Sequence, residues 1–195
     1  MTRHRLSVKN FILASCSPHR YALLKQIGYE PELVEGADID ETPQKFEQPT
    51  EYVKRMAKEK ALAVACKHKG KVVLAGDTVL VVGRRILQKS PNAEVQKSVM
   101  RLLSGKSHKF LSGVCVVSAT GHVSVRCVTT RVIIKKMTEK EIEDYVATNE
   151  WVGCAGYTIE GALSGFVKKI IGSYTSIIGL PLFEVRNMLI GAGVK

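Results

Sequence analysis

The chain has 195 residues, 45% hydrophobic and 24% charged, an ordinary globular composition with enough length to bury a sizeable core. Lysine and arginine outnumber aspartate and glutamate by 29 to 18; the resulting formal charge of +11 attracts anions, and its thin spread favours a small phosphorylated ligand over a nucleic-acid groove. Five scattered cysteines without a CxxC spacing, and no apolar run of membrane-spanning length, argue against a zinc ribbon, a secreted disulfide framework and a membrane partner, and point to a cytoplasmic protein.

In chain order, the basic start from Thr2 to Arg5 leads only into the short apolar stretch Phe11–Ala14, which is no signal h-region. Residues 10–15 read as a buried strand. Ser17 then caps a helix with Pro18 at its first position and Gly28 as its stop. An acidic, turn-rich stretch covers 35–49, and a second helix is expected over 50–67. An apolar strand from Lys71 to Gly76 ends at Asp77, and 78–87 reads as a hairpin turning near Gly83. Ser90-Pro91 opens a third helix that stops at Gly105. Two long strands, 109–119 and 122–134, flank Thr120-Gly121, and Cys115 and Cys127 could face each other across that hairpin as buried thiols. Thr138 and Glu141 form a capping box for a fourth helix through Ala147. A Gly-rich loop, a strand at 166–171 and a helix after Pro181 complete the chain. Interleaved helices and strands with a long antiparallel hairpin predict an α/β fold on a mixed sheet.

Four places could carry chemistry. The strand-to-helix junction Ser15-Cys16-Ser17-Pro18-His19-Arg20 presents unpaired backbone N–H groups, two serine hydroxyls and an arginine one turn in, a combination that binds phosphate. Its plain alternative is a Ser-Pro cap with a solvated arginine. In the second helix Val53, Met56, Ala57, Ala61 and Val64 form an apolar stripe whose i+7 position is Lys60, which must snorkel to water or meet an anion. Ala75-Gly76-Asp77-Thr78 ends an apolar strand on a carboxylate that could hold Mg2+ or polarise a water, or could simply open a turn. In the same region Lys89 is a further candidate phosphate contact. The acidic run Asp38-Ile39-Asp40-Glu41 offers hard oxygens for a divalent cation, with Asp38 and Asp40 on one side and Ile39 and Glu41 on the other. Gly105-Lys106-Ser107 looks like the end of a P-loop, but Met100 stands where the pattern needs glycine and a helix precedes it in place of a strand.

Seven segments in register, Leu13-Ala14-Ser15-Cys16-Ser17-Pro18-His19-Arg20, Ala37-Asp38-Ile39-Asp40-Glu41-Thr42, Lys58-Glu59-Lys60-Ala61, Gly76-Asp77-Thr78, Leu103-Ser104-Gly105, Tyr145-Val146-Ala147-Thr148 and Gly172-Ser173-Tyr174 to Gly179-Leu180-Pro181, together resemble the Maf family of nucleoside triphosphate pyrophosphatases. The resemblance implies one domain over residues 1–195, an elongated mixed sheet with flanking helices, and two lobes around a cleft, similar to the inosine triphosphate pyrophosphatases. It implies hydrolysis of a nucleoside triphosphate to the monophosphate and pyrophosphate, dependent on Mg2+ or another divalent cation. By family role Asp77 is the general base or metal-linked activator, and Ser15, Arg20, Lys60 and Lys89 hold the phosphates; Glu41, from the acidic run, joins Asp77 as a metal-ligand candidate. His19, Thr78 and Glu160 would line the base pocket. Here the chain departs from the thymidine and uridine triphosphate subgroup, which carries Arg at the position of His19, Gln at that of Glu160 and often Lys at that of Cys154; the loop from Ala155 to Gly161 is also about one residue short. A filter for non-standard nucleotides is one role this implies. A non-catalytic nucleic-acid-binding or cell-division regulatory protein stays as the alternative, although no helix-turn-helix or aromatic-rich sheet signature accompanies the charge. The oligomeric state is open, with a homodimer among the admitted states.

Overall fold

The computed structural model describes residues 10–194; the basic stretch from Thr2 to Arg5 lies outside them. Its strands are β1 (Phe11–Leu13), β2 (Leu33–Val34), β3 (Val72–Val82), β4 (Arg85–Leu87), β5 (Ser107–Val117), β6 (Val123–Ile134) and β7 (Val167–Ile171). Its helices are α1 (Pro18–Gln26), α2 (Pro49–Ala65), α3 (Ala93–Leu103), α4 (Glu139–Ala147), α5 (Tyr174–Ile178) and α6 (Leu182–Gly191), with a 3-10 turn at Ala162–Phe166. The strands form one mixed sheet in the order β2-β1-β3-β5-β6-β7, with β4 paired to β3. The three long central strands are antiparallel, and β1 is parallel to both neighbours. Among the described residues no helix is long and apolar enough to cross a membrane.

Local chemistry sets the helix starts. Ser17 caps α1 with Pro18 in the first turn, and the Thr138–Glu141 capping box is fully formed. Pro49, one residue before the expected start, occupies the first position of α2, where its missing N–H costs nothing. The third helix starts later than expected: Asn92 is its cap, taking the Val95 N–H at 3.0 Å, while the Ser90 hydroxyl donates to Gln96 Oε1 at 2.7 Å. The expected end of the strand at Asp77 is also corrected. The β-favouring run after Asp77 keeps pairing with β5, so β3 continues unbroken to Val82 and Asp77 lies at mid-strand. Cys115 pairs with Val125 and Cys127 with Gly113, so these thiols are diagonal neighbours and not opposed; all five cysteines are free.

The two faces of the sheet are covered differently. On one, α2 alone packs over Val73, Ala75, Val79, Val81, Leu111 and Cys115. On the other stand two separate apolar lobes. Helices α1 and α6 pack Leu24, Val185 and Leu189 on Leu13, Leu74, Val114 and Val116. Helices α3 and α4 pack Met100, Leu103, Ile142 and Tyr145 on Leu80, Phe110, Val132 and Ile134. Between the lobes the same face is polar: Thr78 Oγ1 lies 2.9 Å from Ser112 Oγ, and Thr130 Oγ1 lies 2.8 Å from Ser176 Oγ. Ser112, Thr130 and Ser176 are buried, so their hydroxyls pair within the protein, whereas Thr78 is half-buried. The seam divides one sheet face into two lobes and leaves a cleft between them.

His108 in the second lobe makes stability sensitive to acid. Its Nε2 is 2.6 Å from the Tyr157 hydroxyl, its Nδ1 has no partner among the described residues, and burial lowers the imidazole pKa from 6.5 to about 4. The unfolded chain takes up this proton near pH 6.5 and the folded chain only near pH 4, so stability is full above the first value and is lost as pH falls through the second. The loss amounts to about 3 kcal/mol at 1.36 kcal/mol per pKa unit. Chemical denaturation at pH 7 and pH 4 should therefore show a smaller acid loss in His108→Gln than in wild type.

Candidate active site

The phosphate-binding candidate forms where β1 turns into α1. Ser15 N donates to Leu13 O at 3.0 Å, tightening the turn, and the Ser15 hydroxyl accepts from Ser17 N at 3.2 Å and from Arg20 Nη1 at 3.0 Å. Arg20 Nε donates to Gly179 O at 3.1 Å. Gly179, whose φ is +147°, makes room for this side chain, since a Cβ there would lie 3.2 Å from Arg20 Cγ, while a Cβ on Gly76 would lie 2.8 Å from Leu180 Cδ2. Burial lowers the pKa of Arg20, and the nearby carboxylates of Asp77 and Glu41 oppose that shift. A guanidinium keeps its charge under such conditions, so the cleft holds a fixed cation at the start of α1, where the Ser17 and Arg20 N–H groups are already taken by the Ser15 and Ser17 hydroxyls.

From the other face of the sheet, α2 delivers the lysine. Val53, Met56, Ala57, Ala61 and Val64 are all buried on the sheet, and Lys60 projects from the same seam. Its ammonium does not snorkel out to water. It sits 2.8 Å from Asp77 Oδ1 and 3.0 Å from Glu41 Oε1. The Lys60 and Asp77 side chains are only 12% and 10% exposed, whereas Glu41 is half exposed. Asp77 stands directly opposite Gly113 of β5, and the absence of a side chain there lets α2 descend onto the sheet. Moreover, β3 pairs with β1 through Leu74 and with β4 from Leu80 onward, so among the described residues Ala75–Val79 has β5 on one side and no strand on the other. This break in the sheet opens the cavity, which suits the general placement of ligands where strand neighbours diverge.

The cavity has a volume of about 680 Å³, within the range of small-molecule sites. All nine residues expected from the sequence, Ser15, His19, Arg20, Glu41, Lys60, Asp77, Thr78, Lys89 and Glu160, line it. Lys89 reaches it from beyond β4. His19 Nδ1 lies 3.7 Å from Glu160 Oε2, both half exposed, and Tyr157 and Ile159 also line the cavity. Asp38 and Asp40 are exposed and do not line the cavity; Asp40 instead accepts the Thr42 N–H at 2.9 Å. Sequence reasoning passed over Tyr52, Ser112 and Gly113. Tyr52 and Gly113 carried no motif signal, and Ser112 sits among apolar strand residues where a lone serine is unremarked. The arrangement joins cations and N–H donors for a polyanion to a carboxylate pair able to take a proton.

A "dTTP/UTP pyrophosphatase" of Zymomonas mobilis is 48% identical over 185 residues, covering 94% of this chain and 92% of its own. Another of that name from Hyphomonas neptunium is 48% identical, covering 94% and 96%. Among solved structures, a nucleoside-triphosphatase (dITP/XTP pyrophosphatase) of Mycobacterium abscessus matches at TM-score 0.42 and 18% identity, over 66% of this chain and 75% of that one. The family model described as "Maf-like protein" matches residues 10–192, and with that span of the cleft-forming sheet inside the match, the chain belongs to the Maf-like protein family.

Proposed function

We propose that the chain hydrolyses a nucleoside triphosphate to the nucleoside monophosphate and pyrophosphate. The observation that carries this reading is the convergence of Ser15, Arg20 and Lys60 with Asp77 in one cavity, and the names of the relatives at 48% identity support it. Arg20, the α1 N-terminus and Lys89 bind the phosphates and offset the charge that builds up during transfer. Asp77 orients a water at the α-phosphorus and accepts its proton. The water oxygen bonds to that phosphorus as the bond to the bridging oxygen breaks, and pyrophosphate leaves with the electron pair.

A divalent cation such as Mg2+ fits the donors. Two carboxylates, Asp77 and Glu41, converge on one ammonium at 2.8 and 3.0 Å, and the described residues contain no cluster of three or more His, Cys, Asp or Glu that would form a closed cage. One or two carboxylates completed by phosphate oxygens and water is the set that Mg2+ prefers. When bound, the ion neutralises phosphate charge. Asp77 and Glu41 would hold it, with Lys60 fixing their spacing.

The test is incubation with ordinary and modified nucleoside triphosphates plus Mg2+, following pyrophosphate and monophosphate together. Both products are expected in equal amounts; no pyrophosphate from any substrate, with steeply salt-dependent nucleic-acid binding instead, would overturn the reading. At the base end, an ionised Glu160 only accepts hydrogen bonds and so favours a base edge rich in donors. Thymine and uracil offer one N–H between two carbonyls. Glu160→Gln should therefore raise kcat/KM for dTTP and UTP by roughly ten-fold, the worth of one hydrogen bond to a charged group, relative to a donor-rich base. An unchanged ratio would remove Glu160 from base selection.

A further inference from the structure

Glu41 stands on a stretch, 36–48, that has no helix or strand of its own, yet its carboxylate reaches a nearly buried ammonium. Free loops do not hold a half-exposed side chain in register, so something must fix this one. Two side chains from the first half of α2 do so through the backbone. The Tyr52 hydroxyl donates to the Glu41 carbonyl at 3.0 Å, and Arg55 Nη2 donates to the next carbonyl, that of Thr42, at 3.1 Å. Arg55 is itself clamped: its Nε and Nη2 fork onto the two oxygens of Glu47 at 2.6 and 2.8 Å, and Nη1 meets Glu59 at 3.3 Å. Glu47 also accepts the Gln44 N–H at 3.0 Å, closing the far end of the loop.

Other details point the same way. Phe46 takes the left-handed φ of 65° while 86% exposed, with Lys45 Nζ 5.1 Å from its ring centre, and the turn it makes leads directly into Glu47, which meets Arg55. Burial, aided by the Asp77 and Glu41 carboxylates, pushes the Tyr52 hydroxyl up to about 12, which keeps it a donor. The hydrogen bond to Glu47 raises the Arg55 guanidinium above its ordinary value. Bidentate pairing of this kind restrains geometry as well as charge.

We infer that Tyr52 and Arg55 are positioning residues: they strap the loop onto α2 so that Glu41 presents its carboxylate beside Asp77 for the cation that accompanies the triphosphate. Neither touches the reacting atoms. The inference rests on the proposed pyrophosphatase reading and adds to it a device that sets metal affinity from the outer side of the site. Partners of this kind tune metal binding by roughly 10–100-fold when removed.

The test uses Mn2+ as the probe, with its binding measured by electron paramagnetic resonance in the presence of a non-hydrolysable α,β-methylene nucleoside triphosphate. Tyr52→Phe keeps the ring in its packing and deletes only the hydroxyl; Arg55→Lys keeps the charge and loses the fork. Each, with an unchanged far-UV spectrum, should weaken Mn2+ binding by about ten-fold, and the steady-state Mg2+ requirement should rise in step while kcat at saturating Mg2+ changes less. In a Glu41→Gln background neither substitution should weaken binding further, because the strap then has nothing to position. Unchanged Mn2+ binding in both strap variants would overturn the inference, and so would an equal loss in the Glu41→Gln background. If the wild type itself bound no Mn2+ with the nucleotide, the pyrophosphatase reading would fall and the strap with it, a result distinct from wild-type binding that the variants share.

Discussion

Asp77→Asn is expected to bind nucleoside triphosphate normally and to release pyrophosphate about 10³-fold more slowly than wild type, the range of a lost general base. The two side chains have the same shape, so the cavity is unaltered; what disappears is the carboxylate proposed to take the proton from water and to share in holding a cation with Glu41. Stability separates this from a purely structural role. Breaking a buried ion pair by removing one member costs several kcal/mol when the other charge is stranded. Here Lys60 is not stranded, because Glu41 Oε1 remains 3.0 Å from its ammonium and the Asn oxygen can still accept. The melting temperature should therefore move little while kcat collapses. A large fall in melting temperature with wild-type turnover would assign Asp77 to the scaffold and remove it from the chemistry.

Much of this site was legible in the sequence because its parts are local. The Ser-Pro cap with an arginine three residues on is one helix turn, and its geometry follows from helix-start physics alone. Lys60 announced itself by breaking an apolar stripe, since a cation on the buried seam has few fates. The strand end was misplaced for an equally physical reason. Periodicity reports which residues favour extended backbone, and the residues after Asp77 do; it cannot report that β1 stops at Leu13 while β3 continues beside β5. The opening that makes the cavity is a property of pairing between strands 60 residues apart, and no window on the chain contains it. Helix α5 escaped for a different reason: five residues, Tyr174–Ile178, with three β-branched side chains, give no helical period to read. The strap was hidden because its bonds end on backbone carbonyls, which every residue has.

Gly113 is the position where fold and site are most tightly coupled, and Gly113→Ala is expected to damage both. The residue lies opposite Asp77 in the β3–β5 register and directly under α2. A Cβ there would overlap the carbonyl oxygen of Val53 and stand 2.7 Å from its carbonyl carbon. Backbone φ is not in the left-handed region at Gly113, so the cost is steric and not conformational. Because the obstacle is helix backbone, no rotamer change relieves it; α2 must lift. Overpacking of this kind costs about 1–3 kcal/mol, which lowers the melting temperature of a chain this long by about 3–10 °C. Lys60 is two turns along the same helix from Val53, so lifting α2 also draws the ammonium away from Asp77, and a displacement on the order of 1 Å at such a site costs about 10²-fold in rate. Gly165→Ala is the matched control, since a Cβ at Gly165 meets nothing within 4 Å. Thermal melts and pyrophosphate release measured on the two variants should separate them on both axes. If Gly113→Ala kept wild-type melting and rate, the spacing between α2 and the sheet would have to be set elsewhere, and the reach of Lys60 to Asp77 would not depend on a missing side chain.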